Sequence, residues 1–143
     1  MDLAGEYQLV HEGAGLIDVS QRGKIELVGP DAASFLHNLA TNDIRSLAPG
    51  SGCETFLTNA KGKMQSDLYL YCLPDELLLD FEPGLSTAII QRLDKYIIAD
   101  DVQVIDIAPQ YGLLSIQGPT APGILAGAGF AMLGGYLRLA RRR

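Results

Sequence analysis

The segment from residue 59 to residue 71 constrains the fold of this chain most, because it joins a turn to a regularly alternating strand. Gly62 lies between Lys61 and Lys63, and glycine adopts positive φ without the steric cost of a Cβ atom, so a tight turn is predicted here. Beyond the turn, apolar and polar side chains alternate. The polar face carries Asp67, Tyr69 and Tyr71. The segment therefore predicts a strand that lies between an apolar core and a polar surface.

The polar face of this strand offers groups that suit a flat, polar, anionic ligand. A carboxylate and two phenols share the face, and two ammonium groups lie in the neighbouring turn. The alternative is an exposed hairpin turn with a solvated strand face. The pattern alone leaves both interpretations open.

The rest of the chain indicates short strands separated by turns. Strands are predicted at residues 16–20, 24–28, 53–58, 66–73, 77–81, 102–107 and 113–117. The sequence Gln21-Arg22-Gly23 is predicted to form the turn of a hairpin between the first two strands. Strands grouped with segregated helices predict an α+β domain that has a mainly antiparallel sheet and two to three helices.

Two helices are predicted from apolar residues at helical spacing. The first begins at Asp31, whose carboxylate can cap free backbone N–H groups, and ends near residue 41. The second covers residues 85 to 98, with Ser86 or Gly84 as its cap. Both are expected to turn an apolar side toward the sheet.

Composition limits the class of protein. With 143 residues, of which 48% are hydrophobic and 20% charged, the chain fits one globular domain with a real core. The net charge of -6 argues against nucleic acid as a direct partner. Cys53 and Cys72 fit no metal-ligand spacing and are predicted to be buried strand thiols. Since the N-terminus lacks the features of a signal peptide, a reduced, cytoplasmic setting is expected.

The C-terminal segment, residues 120–143, has a different composition from the rest. Residues 107–137 contain no charged side chain, whereas basic residues follow from Arg138 onward. The apolar, Gly-rich run at 121–137 raises the possibility of a membrane helix with a basic flank. Glycine and alanine give little transfer energy, however, and Pro122 interrupts the start. A membrane span is therefore the less favoured interpretation, and a buried helix is the alternative.

Several motifs follow one another in an order that resembles a known family. They are Gly15 to Ser20, Gly29 to Ala32, Phe35-Leu36, Thr41 to Asp43, Asn59 to Asp67 and Gln117 to Pro119. In this order they resemble the N-terminal half of the folate-binding superfamily that contains glycine cleavage T-proteins and YgfZ-type proteins. The resemblance implies a tetrahydrofolate-binding domain at residues 10–119.

Two branches of this superfamily have to be weighed. T-proteins typically carry a Gly-Gly pair and an Asp-Asp pair in the central hairpin, where this chain has Lys61-Gly62-Lys63 and Ser66-Asp67. They also usually have His-Met at the position of Gln21-Arg22. These differences favour the YgfZ branch, which binds tetrahydrofolate and supports iron–sulfur cluster assembly or repair and tRNA modification. Iron–sulfur proteins are then the expected partners, and an aminomethyltransferase of glycine cleavage is the alternative.

The resemblance also suggests which residues lie near folate. They are Arg22, Lys61, Lys63, Asp67, Tyr71 and Glu82. The carboxylate of Asp67 is expected to accept hydrogen bonds from the paired N–H donors of the pterin ring, and the ring of Tyr71 to lie beside it. The two lysines are expected to attract the glutamyl tail. Each residue also has an ordinary structural interpretation, as a surface charge or a packed tyrosine.

Some family motifs are not found in these 143 residues. The YgfZ branch has a later Lys-Gly-Cys-Tyr-x-Gly-Gln-Glu motif whose cysteine is tied to function, and T-proteins use a later acidic residue and a later arginine. The chain is therefore expected to be a truncated or frame-altered member that binds folate weakly and does not catalyse a reaction by itself. An inactive structural domain is the third interpretation.

Overall fold

The computed structural model describes residues 2–129 and 139–141. The chain forms two compact units, one made of residues 1–20 and 111–143 and the other of residues 21–110. The helices are α1 (Leu3–Glu12), α2 (Ala32–His37), α3 (Ser86–Tyr96) and α4 (Ala121–Gly127). The strands are β1 (Gly15–Asp18), β2 (Gly23–Val28), β3 (Gly52–Thr58), β4 (Met64–Cys72), β5 (Glu76–Phe81), β6 (Gln103–Asp106), β7 (Tyr111–Gln117) and β8 (Leu139–Arg141).

The unit of residues 21–110 is built on a five-stranded antiparallel sheet with the order β3-β4-β5-β2-β6. Alternate side chains of its strands pack with α2 and α3 on one face, because each strand presents successive residues to opposite sides. The core on that face includes Ile25, Leu27, Phe35, Leu36, Leu57, Leu68, Leu70, Leu79, Phe81, Ile89 and Leu93. The opposite face carries mostly polar side chains, and the candidate site lies there.

The unit of residues 1–20 and 111–143 contains an antiparallel sheet with the order β1-β7-β8. Gly118 has φ +128, and a Cβ atom placed there would lie 2.4 Å from the backbone oxygen of Gly13. Only glycine permits both this conformation and this close approach. The contact fixes the chain where it leaves β7, next to the end of α1.

The predicted fold class is confirmed, and so is the mainly antiparallel arrangement. The predicted hairpin between the first two strands is wrong, because β1 pairs with β7 whereas β2 lies between β5 and β6. Alternation in the sequence indicates a strand but does not identify its partner. Arg22 therefore lies at the entry to a central strand and not in a hairpin turn.

Other local differences concern helix ends and the N-terminus. Helix α1 was not predicted, although Asp2 caps it by accepting a hydrogen bond from the Gly5 N–H at 2.9 Å. Asp31 precedes α2 as predicted, but its carboxylate does not cap the helix. It accepts a hydrogen bond from the backbone N–H of Asp101 at 2.8 Å. Neither Ser86 nor Gly84 caps α3, which is preceded by Leu85 without a side-chain cap.

The two cysteines lie in strands, as predicted, but they are half-buried and not fully buried. Burial raises the pKa of both the Cys53 and the Cys72 thiol, so the neutral thiol is favoured. Within residues 2–129 and 139–141, no group of three or more potential ligands forms a metal site.

The apolar C-terminal run is only partly covered by the structure. Its first part forms α4, while residues 130–138 of the predicted segment lie outside the described residues. Among the helices in the described part of the chain, none has the length and apolar character needed to cross a bilayer. The domain boundary predicted between residues 119 and 120 stays a prediction.

Candidate functional site

A row of three polar side chains crosses the middle of the five-stranded sheet. Asp80 of β5 is paired with Tyr69 of β4 on one side and with Lys24 of β2 on the other. Asp80 is 4% exposed and Lys24 is fully buried. The row lies on the face opposite the hydrophobic core, because its neighbours along each strand, such as Ile25 and Leu79, point into the core. Two opposite charges are therefore buried side by side at the centre of the polar face.

Arg22 extends this row with a network of charge-assisted hydrogen bonds. Its Nε donates a hydrogen bond to Oδ1 of Asp80, and its Nη1 donates to Oε1 of Glu82 at 2.9 Å. Its guanidinium carbon lies 5.6 Å from the centre of the Tyr69 ring, within the range of a cation–π contact. Its Nη2 is buried and has no hydrogen-bond partner among the described residues.

The charges of this network act on one another. Burial lowers the pKa of Arg22, but the hydrogen bonds and charges of Asp80 and Glu82 outweigh that effect and raise it above its usual value. Burial raises the pKa of Asp80, while Arg22 and Lys24 oppose that rise. The Lys24 ammonium donates a hydrogen bond to the backbone oxygen of Arg22 at 2.7 Å. The two cations thus favour the ionised form of a carboxylate that burial alone would tend to protonate.

Asp67 lies on the same face, two residues before Tyr69 in β4. It is half-exposed and is paired with Phe56 of β3. Ser66, its neighbour in the chain, is buried on the core side, where its Oγ donates a hydrogen bond to the backbone oxygen of Asp67 at 2.9 Å. The Asp67 carboxylate therefore lies on the polar face of the sheet, whereas the Ser66 side chain lies on the core face.

Tyr71 follows on the same face but is only 4% exposed. It is paired with Gly52 of β3 and Leu78 of β5, in the middle of the sheet. Its predicted place beside a ligand ring stays a prediction. Tyr69 is half-exposed and is therefore the more accessible of the two tyrosines on this face.

The lysine turn lies between β3 and β4. Gly62 has φ +76, and Oδ1 of Asn59 accepts hydrogen bonds from the N–H groups of Lys61 and Lys63 at 2.9 and 3.0 Å. Arg92 of α3 donates hydrogen bonds to the backbone oxygen of Thr58 and to Oε1 of Gln65, on either side of the turn. Both lysine side chains are exposed, and neither forms an ion pair with another described residue.

The structure brings some of the predicted site residues together and separates others. Arg22 and Glu82 form an ion pair beside Tyr69, whereas the two lysines belong to a different turn. Asp80 and Lys24 were not predicted as site residues, although Asp80 directly follows three leucines in β5. A charge inside an apolar run is the signal that would have identified it, since buried carboxylates require partners.

A pair of carboxyl groups occupies the other end of the same face. A hydrogen bond to Glu26, burial and the charges of Glu26 and Asp75 raise the pKa of Glu76 to about 7. Glu76 also borders a cavity of about 520 Å³ whose lining includes Ala32, Leu47, Cys72 and Leu77. None of the six predicted site residues lines this cavity.

The fold and the polar face define an α+β domain in which an antiparallel sheet carries charged and aromatic side chains on the face opposite its hydrophobic core. The family model of the GCVT N-terminal domain matches residues 2–130. The chain therefore belongs to the GCVT N-terminal domain family, and the resemblance to the T-protein superfamily is confirmed.

Known relatives agree with this assignment. A probable aminomethyltransferase of Natronomonas pharaonis is 35% identical over 127 residues, which is 85% of this chain and 35% of the relative. An aminomethyltransferase of Frankia alni is 34% identical over 133 residues, covering 92% of this chain and 36% of the relative. The chain thus spans about a third of the length of these relatives.

A solved structure shows the same fold. The glycine cleavage system aminomethyltransferase T from Bartonella henselae matches with a TM-score of 0.80 at 30% identity, over 89% of this chain and 35% of that chain. These relatives fit the aminomethyltransferase alternative better than the YgfZ-type role that the lysine turn favoured.

Asp80→Asn tests whether the buried row stabilises the fold. The variant leaves Lys24 and Arg22 with one fewer countercharge, so the free energy of unfolding should fall by about 3 kcal/mol. Urea denaturation followed by circular dichroism measures the change. Glu82→Gln is the control, because its exposed ion pair should contribute no more than ~1 kcal/mol. An equal effect of both variants would contradict the assigned role of Asp80.

Glu76→Gln tests the carboxyl pair through pH. Because the folded state holds a proton on Glu76 more tightly than the unfolded state, wild-type stability should fall as the pH rises from about 4.5 to about 7. The glutamine keeps a hydrogen-bond donor toward Glu26 but does not titrate. The variant should therefore gain stability relative to wild type across this window, by about 1 kcal/mol or less because the half-buried pair is screened. Denaturation curves between pH 4 and pH 8 measure the difference, and a difference that does not change with pH would refute the assignment.

Proposed function

We propose that this chain is the tetrahydrofolate-binding N-terminal part of an aminomethyltransferase-type protein. The observation that carries the proposal is the polar face of the sheet. There β4 carries Asp67 and Tyr69, and Arg22, at the entry to β2, donates a hydrogen bond to the buried Asp80 of β5. The family match and the names of its relatives support this choice of ligand and of branch.

The chemistry of the face suits the two ends of a reduced folate. The pterin ring carries paired N–H donors, and the half-exposed carboxylate of Asp67 can accept them in bidentate fashion. The Tyr69 ring offers an apolar surface to a flat heterocycle. Lys61 and Lys63 are exposed cations in a rigid turn, which suits the charged glutamyl tail.

The role we assign to Asp67 is to anchor the ligand. The preceding residue, Ser66, has no carboxylate, and its side chain is buried on the other side of the sheet. Because the chain spans about a third of its relatives, transfer of the aminomethyl group and recognition of the carrier protein would also use other parts of a longer protein.

The YgfZ-type accessory role is the second candidate. Lys61-Gly62-Lys63 stands where T-proteins carry a glycine pair, and the turn is fixed by Asn59 in a way that exposes both lysines. In this role the same face would bind tetrahydrofolate, but the partners would be iron–sulfur proteins and not a lipoyl carrier.

Folate binding is tested on the 143-residue chain by isothermal titration with 5-formyltetrahydrofolate. Asp67→Asn should weaken binding at least tenfold, because one oxygen of a charge-assisted bidentate contact is lost. Asp94→Asn, on the exposed side of α3, removes the same charge and should bind like wild type. Lack of binding by wild type, or equal binding by Asp67→Asn, would count against the proposal.

The branch is tested by turnover. Incubation with tetrahydrofolate and an aminomethylated lipoyl carrier should release ammonia and form methylene-tetrahydrofolate if the protein acts as an aminomethyltransferase. Ammonia release above a control without protein measures the reaction. Because the transfer would also use parts outside these 143 residues, the assay needs a longer protein that carries this domain, and folate binding by that protein without any release would favour the accessory role.

A further inference from the structure

Arg22 is held by two carboxylates that differ greatly in exposure. The side chain of Asp80 is 6% exposed, whereas that of Glu82 is 57% exposed and lies just beyond the end of β5. A buried partner cannot leave without exposing an uncompensated charge, but an exposed ion pair is easily broken. Asp80 is therefore the permanent partner of Arg22, and Glu82 is the exchangeable one.

The hydrogen bonds of Arg22 leave part of its donor capacity unused. Glu82 accepts from Nη1 through a single oxygen, and Nη2 has no partner among the described residues although it is buried. A guanidinium presents neighbouring N–H groups in a fork that matches the two oxygens of a carboxylate. A carboxylate that takes the place of Glu82 can use both Nη1 and Nη2, which the single bond of Glu82 does not.

Charge balance permits this exchange. Two cations, Arg22 and Lys24, face two carboxylates, Asp80 and Glu82, in one connected network. When an external carboxylate replaces Glu82, the number of charges in contact with Arg22 stays the same, and Glu82 moves into water. The exchange therefore leaves no charge unpaired on the buried side of the network.

We propose that Arg22 is a carboxylate-binding residue and that Glu82 occupies its site until a ligand carboxylate displaces it. Asp80 acts as the positioning residue, since it fixes the guanidinium beside the Tyr69 ring. The glutamyl part of a reduced folate carries two carboxylates, and the assignment of one of them to Arg22, which leaves the other to the lysine turn, rests on the proposed function. The family resemblance suggests Glu82 as a ligand contact. In this proposal Glu82 instead competes with the ligand carboxylate for Arg22.

The proposal is tested with glutarate, a simple dicarboxylate, and the folded 143-residue chain labelled with ¹⁵N-arginine. The Nε–H signal of Arg22, which Arg22→Lys identifies by its loss, reports binding by NMR. Glu82→Gln should lower the dissociation constant for glutarate about two- to fivefold, because an exposed ion pair no longer competes. A glutarate affinity of Glu82→Gln equal to or weaker than that of wild type overturns the proposal.

A matched variant separates the local exchange from a general effect of charge. Glu12→Gln removes one exposed carboxylate from α1 and should bind glutarate like wild type. An equal gain by both glutamine variants would show that net charge alone is responsible, and would overturn the proposal.

Titration with 5-formyltetrahydrofolate then distinguishes this inference from the proposed function. If Glu82→Gln gains affinity for glutarate but neither protein binds the folate, the carboxylate site is supported and the folate function fails. If the folate binds but glutarate binding shows no gain in Glu82→Gln, the function is supported and the exchange at Arg22 is overturned.

Discussion

The contact between Asp80 and the two cations beside it governs the polar side of the five-stranded sheet. A carboxylate with 4% exposure is unfavourable unless it is paired, and Lys24 and Arg22 supply that pairing from the neighbouring strand. Because β2 lies between β5 and β6, this charge group joins strands that are far apart in the sequence. The bond to Asp80 sets the position of the Arg22 guanidinium, which in turn lies beside the Tyr69 ring.

The two faces of the sheet therefore have different roles, one in folding and one in the candidate site. The side under α2 and α3 is packed with Leu, Ile and Phe side chains, which stabilise the fold by burial. The other side holds charges that pair with one another, and the buried Asp80 orients the Arg22 guanidinium before any ligand arrives. A ligand that binds Arg22 therefore meets a donor whose orientation is already fixed, so little ordering of that side chain remains to be done on binding.

Much of this could be predicted from local patterns in the sequence. Alternation identified the strands, helical spacing identified α3, and the glycine between two lysines identified the turn. Pairing could not be predicted in the same way, since the partner of a strand depends on contacts that are distant in the sequence, as with β1 and β7. For that reason the row of Tyr69, Asp80 and Lys24 was missed, although each of its members lay within a predicted strand. The roles of Arg22 and Glu82 as partners of each other likewise appear only once β2 and β5 are placed side by side.

The conformation of the lysine turn does not depend on its two lysine side chains. The side-chain oxygen of Asn59 accepts hydrogen bonds from two backbone N–H groups, and Gly62 supplies the positive φ. Arg92 donates hydrogen bonds to groups on both sides of the turn. None of these contacts uses a lysine side chain. Residues 61 and 63 can therefore change between members of a lineage with little effect on folding. Substitutions at these two positions alter the charge that this loop offers to a ligand tail or a partner, while the contacts that hold the turn stay the same.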